Sequence, residues 1–539
     1  MRYPIGIQSF ETIRNDGYVY VDKTDLVYKL AQGHVYFLAR PRRFGKSLLI
    51  DTLRCYFEGR RELFEGLKMA ELEKEWQQYP VISFDFSKAN LLRDDGLHDY
   101  IIEVIQQMEC EYGITPSMDY KEGNAFPTPD IARRFANLVA GLNKKTGQKV
   151  VTLIDEYDKP LLDLLGTDRP GDEERLCYNR ELLKGFFSVF KASDRHLRFI
   201  MLTGITKFSQ VSMFSGFNQP DDISLSNRYD TLLGITEDEL YSVFATSIHL
   251  LAQAKGTDDE SIRQQLKRRY DGYHFSKQMK DVYNPFSLLN VFADNDMSDY
   301  WFESGTPTYV VRLMANAHTD MMDYTQGEHT IDEFMRYKAD TARPLPMLFQ
   351  AGYLTIKGYD PEFETYRLDY PNNEVKQGFI TLLANDYLQS EGKAVAWVKR
   401  MVTAMRQGDT ELVRRLFTSF LAETPYSMRP KKDQKDRELY FHYTFYLLMR
   451  LISCYTVYTE KQLSEGRADC IVETPQYVYI FEFKLDGTAA EALQQIDNRG
   501  YAKAYEADGR TVYKIGASFS SKTGTVEEWR VVNNSEIVK

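Results

Sequence analysis

The chain runs to 539 residues, with 67 Lys+Arg against 78 Asp+Glu, a net charge of −11, 43% hydrophobic residues and 5 cysteines. That apolar fraction excludes a disordered chain, and the length is a prior for about three domains at roughly 100 to 200 residues each. Cys55, Cys110, Cys177, Cys454 and Cys470 show no CxxC or Cys/His spacing, which argues against a disulfide framework and a structural zinc site and fits a reducing, cytoplasmic compartment.

Met1 to Phe10 (MRYPIGIQSF) has neither the basic start nor the apolar stretch of a secretory leader, so the chain is expected to remain inside the cell. From Tyr36 to Gly234 short apolar runs alternate with helical stretches: Val35 to Ala39, Val81 to Phe86, Val150 to Ile154 and Phe199 to Leu202. Such runs mark parallel strands covered on both faces, which predicts an α/β layer.

After the first run stands Arg40-Pro41-Arg42-Arg43-Phe44-Gly45-Lys46-Ser47, followed by a helix through Leu48, Leu49, Leu53 and Tyr56. Gly45-Lys46-Ser47 is the second half of a P-loop. There, backbone amides and the helix N-terminus cradle phosphates, Lys reaches the β and γ oxygens, and Ser binds Mg²⁺. Arg40 occupies the place of the first glycine. GK[ST] alone is weak evidence, and its setting between strand and helix is what supports it. The third run ends in two acids: Asp155 is expected to hold Mg²⁺, and Glu156 to orient and deprotonate the attacking water. Thr203 closes the fourth run ahead of Gly204-Ile205-Thr206, where it is placed to sense the γ-phosphate. Taken singly these residues read as surface acids and a solvated lysine; together, in this order, they favour an ATP-binding core.

From about Thr236 the pattern turns helical, beginning with Glu237 to Ala254 as one periodic helix. Asn284-Pro285 supplies a cap and a first-turn proline ahead of Phe286 to Phe292. A helix over Leu345 to Ala351, strands over Tyr353 to Gly358 and Thr365 to Tyr370, and a helix over Glu374 to Leu388 give the outline of a winged-helix-like unit, an outline that also serves as a plain spacer between domains. Arg429 to Arg437 (RPKKDQKDR) reads as an exposed connector. Tyr440 to Tyr458 is apolar, but His442 and Arg450 interrupt it and it is barely long enough to span a bilayer, so a buried helix running into a strand is expected rather than a membrane segment. The net acidity weakly disfavours a nucleic-acid coat protein. From Lys431 onward, however, 15 basic residues face 16 acidic ones, so the last module is nearly neutral.

That module contains Gly466-Arg467-Ala468-Asp469-Cys470-Ile471-Val472, a Thr474-Pro475-Gln476 turn, and Tyr477 to Lys484 (YVYIFEFK). An antiparallel hairpin would set Asp469 opposite Glu482, with Glu482 and Lys484 on one face and Phe481 and Phe483 on the other. Two carboxylates and a lysine on one face can hold a hard divalent cation and polarise water, which is chemistry for cutting a phosphodiester. Glu438, starting the preceding helix, could add a carboxylate, and Gln495 lies on the following helix (Ala489 to Ile496). The bland reading is a cross-strand ion pair on an exposed sheet; the apolar strand around Glu482 and Lys484 weighs against it. His274 and His442 lack partner spacing and read as structural, and the aromatic run Phe441 to Tyr446 reads as packing.

PIGIQSFETIR, YVYVDKT, RPRRFGKS, LIDEYDKP, LTGITKFSQVSMFSGFNQ, YDGYHFS, YNPFSLLN, GRADCIV, FEFK and QQIDNRGYA are strings spread over nearly the whole chain. Through them the chain resembles the bacterial AAA-ATPase-like proteins that carry a C-terminal PD-(D/E)XK nuclease-superfamily domain. The resemblance implies a nucleotide loop that begins Arg-Pro-Arg-Arg, so Arg40, Arg42, Arg43, Phe44, Gly45, Lys46 and Ser47 count as nucleotide-binding, with Asp155 and Thr203. It also implies Glu438 as the helix acid, Asp469 and Glu482 as metal ligands, Lys484 as the group that stabilises nucleophile or transition state, and Gln495 and Tyr501 as the supporting helix motif. Ala468 replaces the proline usual before the aspartate.

The expected fold is α/β: a P-loop ATPase-like domain over 1–235, a helical and winged-helix-like connector over 236–430 and a restriction-endonuclease-like domain over 431–539. The expected function is an ATP-binding protein, with ATPase activity, joined to a Mg²⁺-dependent nuclease acting on nucleic acid, DNA ahead of RNA. Neither a membrane nor a fixed oligomeric state is implied, and a homo-oligomer stays open. The alternatives are a nucleotide-switched module that grips nucleic acid or protein without cutting, and a signalling ATPase whose last domain recognises a partner.

Overall fold

The computed structural model describes residues 1–116, 131–165, 169–207, 220–303, 327–336, 343–388, 393–423, 470–505, 509–520 and 525–533, with 310, 313, 324–325, 457–458, 462–463 and 466–467. Two compact units emerge, Met1–Val375 and Lys376–Lys539.

In the first unit, strands β1 (Val35–Ala39), β2 (Val81–Asp85), β3 (Val150–Asp155), β4 (Leu197–Gly204) and β5 (Asp221–Asp222) form one sheet in the order β2-β3-β4-β1-β5. Every neighbouring pair is parallel. All six residues of β3 are buried, as a strand covered by helices on both faces requires. The four apolar runs read from the sequence are β1 to β4. Because β4 lies between β1 and β3, its C-terminal end stands between the loop that leaves β1 and the acids that end β3.

The middle of the chain is largely helical. The expected single helix from Glu237 is two, Glu237–Val243 and Ala245–Lys255, with the fully buried Phe244 between them at φ −108°. Thr236 and Glu239 close a reciprocal capping box on the first. Asn284 caps Pro285–Asp294 as expected, its Oδ1 accepting from the amides of Phe286 and Ser287. Helix Pro344–Gln350 is followed by β7 (Thr355–Asp360) and β8 (Thr365–Asp369), which join β6 (Glu328–His329) in a sheet ordered β6-β8-β7. Helix Asn373–Leu388 comes next, so the helix, hairpin, helix order is present.

The second unit is built on a mixed sheet. Strands β9 (Val457–Tyr458), β12 (Cys470–Glu473), β13 (Tyr477–Leu485), β14 (Thr511–Phe519) and β15 (Val526–Asn533) pair in the order β15-β14-β13-β12-β9. β10 (Gln462–Leu463) and β11 (Gly466–Arg467) form a separate two-stranded ribbon. Only β13 and β14 run parallel; β12 with β13 and β14 with β15 are antiparallel. Phe481, Phe483, Tyr479 and Ile515 pack with Trp397, Met401, Leu416 and Phe417. Helices Lys393–Gln407 and Thr410–Glu423 therefore cover this sheet, whereas the sequence had assigned them to the connector. The opposite face, with Val478 and Ile480, is covered by Ile496, Tyr501 and Tyr505. No helix among the described residues is long and apolar enough to cross a membrane, although most of Tyr440 to Tyr458 lies outside them. Cys55, Cys110, Cys177 and Cys470 are free thiols, and Cys454 lies outside the described residues.

Candidate nucleotide and nuclease sites

The loop after β1 carries two residues at positive φ, Arg43 at 68° and Gly45 at 89°, immediately before helix Lys46–Phe57. Alternating a left-handed residue with its neighbours turns successive backbone N–H groups inward, and the helix N-terminus adds its own. That is an anion cradle. Lys46 is 5% exposed, and its Nζ donates to the carbonyls of Arg40 at 3.0 Å and Pro41 at 3.1 Å. Burial pulls its pKa down, against the attraction of Glu156, Asp155 and Asp158. Ser47 is the second helical residue, partly exposed.

Asp155 ends β3 and is 5% exposed; Thr203 Oγ1 on the adjacent β4 donates to its Oδ1 at 2.6 Å. The hydroxyl thus fixes the carboxylate that the sequence reading gives to Mg²⁺, and the two expected residues meet. Glu156 sits at φ 53°, a conformation unusual for a residue with a side chain. Burial raises its carboxyl pKa, with Lys46 pulling the other way. The donor set, an anion cradle with a lysine, a hydroxyl and two acids, fits a Mg²⁺-bound triphosphate. Beside it, Tyr20, Val21, Val27, Gly45, Leu48 and Leu233 line part of an apolar hollow of about 120 Å³.

The side chains of Arg40 and Phe44 are engaged in the interior, so a nucleotide role for Phe44 rests on its backbone amide. Arg40 is 1% exposed; its guanidinium donates to the carbonyls of Ala39, Ser224 and Tyr229 and lies 4.1 Å from the Phe275 ring centre. Burial lowers its pKa to about 9. The side chain is an anchor for the base of the loop, bonded there through its two terminal nitrogens. Phe44 is buried edge-on against Tyr273 at 4.8 Å and Phe275 at 5.2 Å. Arg43 is exposed, its guanidinium 4.7 Å from the Phe286 ring, and Arg42 is half-buried.

In the second unit the alternation of β13 puts Glu482 and Lys484 on the face covered by helix Ala489–Asn498, away from Phe481 and Phe483. Gly516 pairs with Glu482 on β14, and a Cβ there would stand 2.3 Å from the Ala489 carbonyl. Its absence lets the helix approach closely enough for Gln495 to reach both charged residues. Gln495 Oε1 accepts from Lys484 Nζ at 2.6 Å, and its Nε2 donates to Glu482 Oε1. Lys484 Nζ and Glu482 Oε1 are 4.0 Å apart, and the Glu482 side chain is 2% exposed. A buried carboxylate oxygen is the ligand type a hard cation takes, and an ammonium beside it can meet phosphate charge. Cys470 pairs with Phe481, one position short of Glu482; Asp469, the other expected ligand, and Glu438 lie outside the described residues, as does His442. Among the described residues no three His, Cys, Asp or Glu converge as a metal site. Tyr501 is buried in the core with Ile496 and Ile480, and His274 bonds Asp281 at 2.6 Å, as a structural histidine does.

A family model described as Predicted AAA-ATPase matches residues 4–214, and one described as PD-(D/E)XK nuclease superfamily matches residues 436–529. The chain is also 36% identical over 534 residues, 97% of its own length and 98% of the relative, to an uncharacterized protein in the vnfD 5' region of Azotobacter chroococcum mcd 1. The chain belongs to this AAA-ATPase-like family with a C-terminal PD-(D/E)XK nuclease-superfamily domain. The family's ATPase-like match spans the loop, Asp155, Glu156 and Thr203, and the nuclease-superfamily match spans Asp469, Glu482, Lys484 and Gln495.

Sequence reasoning about this AAA-ATPase-like chain passed over Tyr157, Asp158 and Thr206, which stitch the ends of β3 and β4 together. The only signal was a third acid in LIDEYDKP, three positions past the strand. Gly516 gave none, since its use depends on where the helix lands.

Proposed function

We propose that this chain binds and hydrolyses ATP with Mg²⁺ and uses the nucleotide to control a Mg²⁺-dependent nuclease acting on DNA, within the cytoplasm. The observation that carries the reading is the Glu482–Gln495–Lys484 arrangement: an amide bonded to both a buried carboxylate and an ammonium on one sheet face. An ion pair along one strand on a wet surface would need no such bridge.

At the first site, the loop amides and Lys46 bind the phosphates, Ser47 and Asp155 hold the cation, and Thr203 keeps the Asp155 carboxylate oriented. Glu156, whose pKa burial raises, takes the proton of the attacking water. The apolar hollow beside Gly45 and Leu48 accepts the base. At the second site Asp469 and Glu482 hold the cation, with Glu438 as a further acid, and Lys484 neutralises charge growing on the phosphate. Magnesium, when bound, supplies the positive field for both phosphate groups.

The purified full chain, given Mg²⁺, ATP and labelled single- and double-stranded DNA and RNA, is expected to cut DNA. Intact nucleic acid that is nevertheless bound in an ATP-dependent manner would replace this reading with a gripping module. No affinity at low salt would leave only a signalling ATPase.

A further inference from the structure

Asp158 has no part in the chemistry described above, yet it is fully buried two residues past Glu156. Its Oδ2 accepts from the Ile205 amide at 3.0 Å, the Thr206 amide at 2.6 Å and Thr206 Oγ1 at 2.7 Å. Its Oδ1 is buried without a hydrogen-bond partner among the described residues. Around it Tyr157 N donates to the Thr203 carbonyl at 3.0 Å and Tyr157 Oη to the Thr206 carbonyl at 2.8 Å. The chain leaving β3 and the chain leaving β4 are thus stitched residue by residue. A Cβ on Gly204 would stand 2.6 Å from Asp158 Oδ1, so the crossing tolerates no side chain there.

The stitched segment continues outward. The Lys207 amide donates to Gln350 Oε1 at 2.6 Å, and Gln350 Nε2 donates to the carbonyls of Phe334 at 3.1 Å and Met335 at 2.9 Å. Thr203, bonded to Asp155, is therefore three residues from the anchor and four from the amide that holds helix Pro344–Gln350.

The geometry points to Asp158 as a positioning residue that locks the β4 exit to the β3 acids and passes the state of the nucleotide site to helix Pro344–Gln350. This role rests on the ATPase reading above. Three acceptor bonds on one buried oxygen form a rigid pivot, and an asparagine carries an acceptor oxygen in the same place. The anchoring oxygen, rather than the charge, is what the role requires.

The test compares Asp158→Ala, Asp158→Asn and the milder Thr206→Val in the full chain. Each is assayed for fluorescent-ATP affinity, for ATP turnover and for amide hydrogen exchange over residues 344–350 with and without a non-hydrolysable ATP analogue. In Asp158→Ala, kcat is expected to fall about 10- to 100-fold, as on loss of a support behind catalytic ligands. Its affinity should stay within about threefold, and the ATP-dependent change in exchange should vanish. Asp158→Asn should restore both. Wild-type kcat in Asp158→Ala, affinity and kcat falling in parallel, or Asn as damaging as Ala would overturn the proposal. If Asp158→Ala does not fold, Thr206→Val decides: turnover and exchange matching wild type overturn it. A wild-type chain that binds no ATP defeats the ATPase reading itself, a result distinct from each of these.

Discussion

Lys484 Nζ stands 4.0 Å from Glu482 Oε1, and the Gln495 carboxamide spans the gap, taking a hydrogen from the ammonium and giving one to the carboxylate. An amide with both ends engaged has one orientation, so it sets the spacing of the two charges. Glu482→Gln and Lys484→Ala are expected to abolish cleavage of labelled DNA in Mg²⁺. Gln495→Leu, which removes the bridge and keeps the bulk, should lower the cleavage rate about 10- to 100-fold while leaving DNA affinity near wild type. Cleavage unaffected by Gln495→Leu would mean that the bridge does not position the charges for catalysis.

At the nucleotide site, Lys46→Ala should lose ATP binding in a fluorescence titration, because no other described ammonium shares the loop. Thr203→Val deletes the 2.6 Å bond to Asp155 without changing shape much. Loss of a hydrogen bond to a charged group costs about 1.5 to 3 kcal/mol, so turnover should fall roughly 10- to 100-fold. ATP affinity should hardly move. Equal losses in affinity and turnover would mean that Thr203 supports the fold of the loop rather than the reacting geometry.

Arg40 separates two roles that a sequence cannot. As a phosphate clamp it would be needed for ATP affinity; as the buried anchor it is bound to the carbonyls of Ala39, Ser224 and Tyr229. Arg40→Met fills the same space but removes the donor from those carbonyls, of which Tyr229's keeps the Leu232 amide, and is expected to cost about 2 to 4 kcal/mol of stability by thermal or urea unfolding. ATP affinity of the folded fraction should remain within about threefold. A tenfold weaker affinity with unchanged melting would return Arg40 to the phosphates.

What the sequence made legible is what periodicity and local chemistry dictate. β1 to β4 showed as apolar runs because strands covered on both faces have little polar surface to display, and the opposite facing of Glu482 and Phe481 follows from alternation alone. The cap at Asn284 is a local hydrogen bond and could be read directly. The break at Phe244 was hidden because apolar spacing continues through it. Helices Lys393–Gln407 and Thr410–Glu423 announce an apolar face, not which sheet receives it. Asp158 was invisible as an anchor because its partners, Ile205 and Thr206, come beside it only once β4 is laid next to β3.

Glu374 contributes to the first unit a pH dependence whose sign follows from its burial. It is 1% exposed, with Oε1 accepting from the Trp301 amide at 2.9 Å and Oε2 from Ser287 Oγ at 2.8 Å. Lost hydration outweighs those bonds and raises the carboxyl from 4.5 to about 7. A carboxyl raised by folding holds its proton in the folded chain after the unfolded chain has released it. Its contribution to stability is therefore complete below 4.5 and is lost as pH climbs through about 7. A shift of that size corresponds to at most about 3 kcal/mol. Glu374→Gln removes the ionisation while keeping an acceptor for Trp301 and a group for the Ser287 hydroxyl. Urea unfolding should find the variant close to wild type at pH 5 and more stable than wild type at pH 8. A variant weakened equally at both pH values would show that the carboxyl is ionised throughout and that its two bonds, rather than its burial, govern the site.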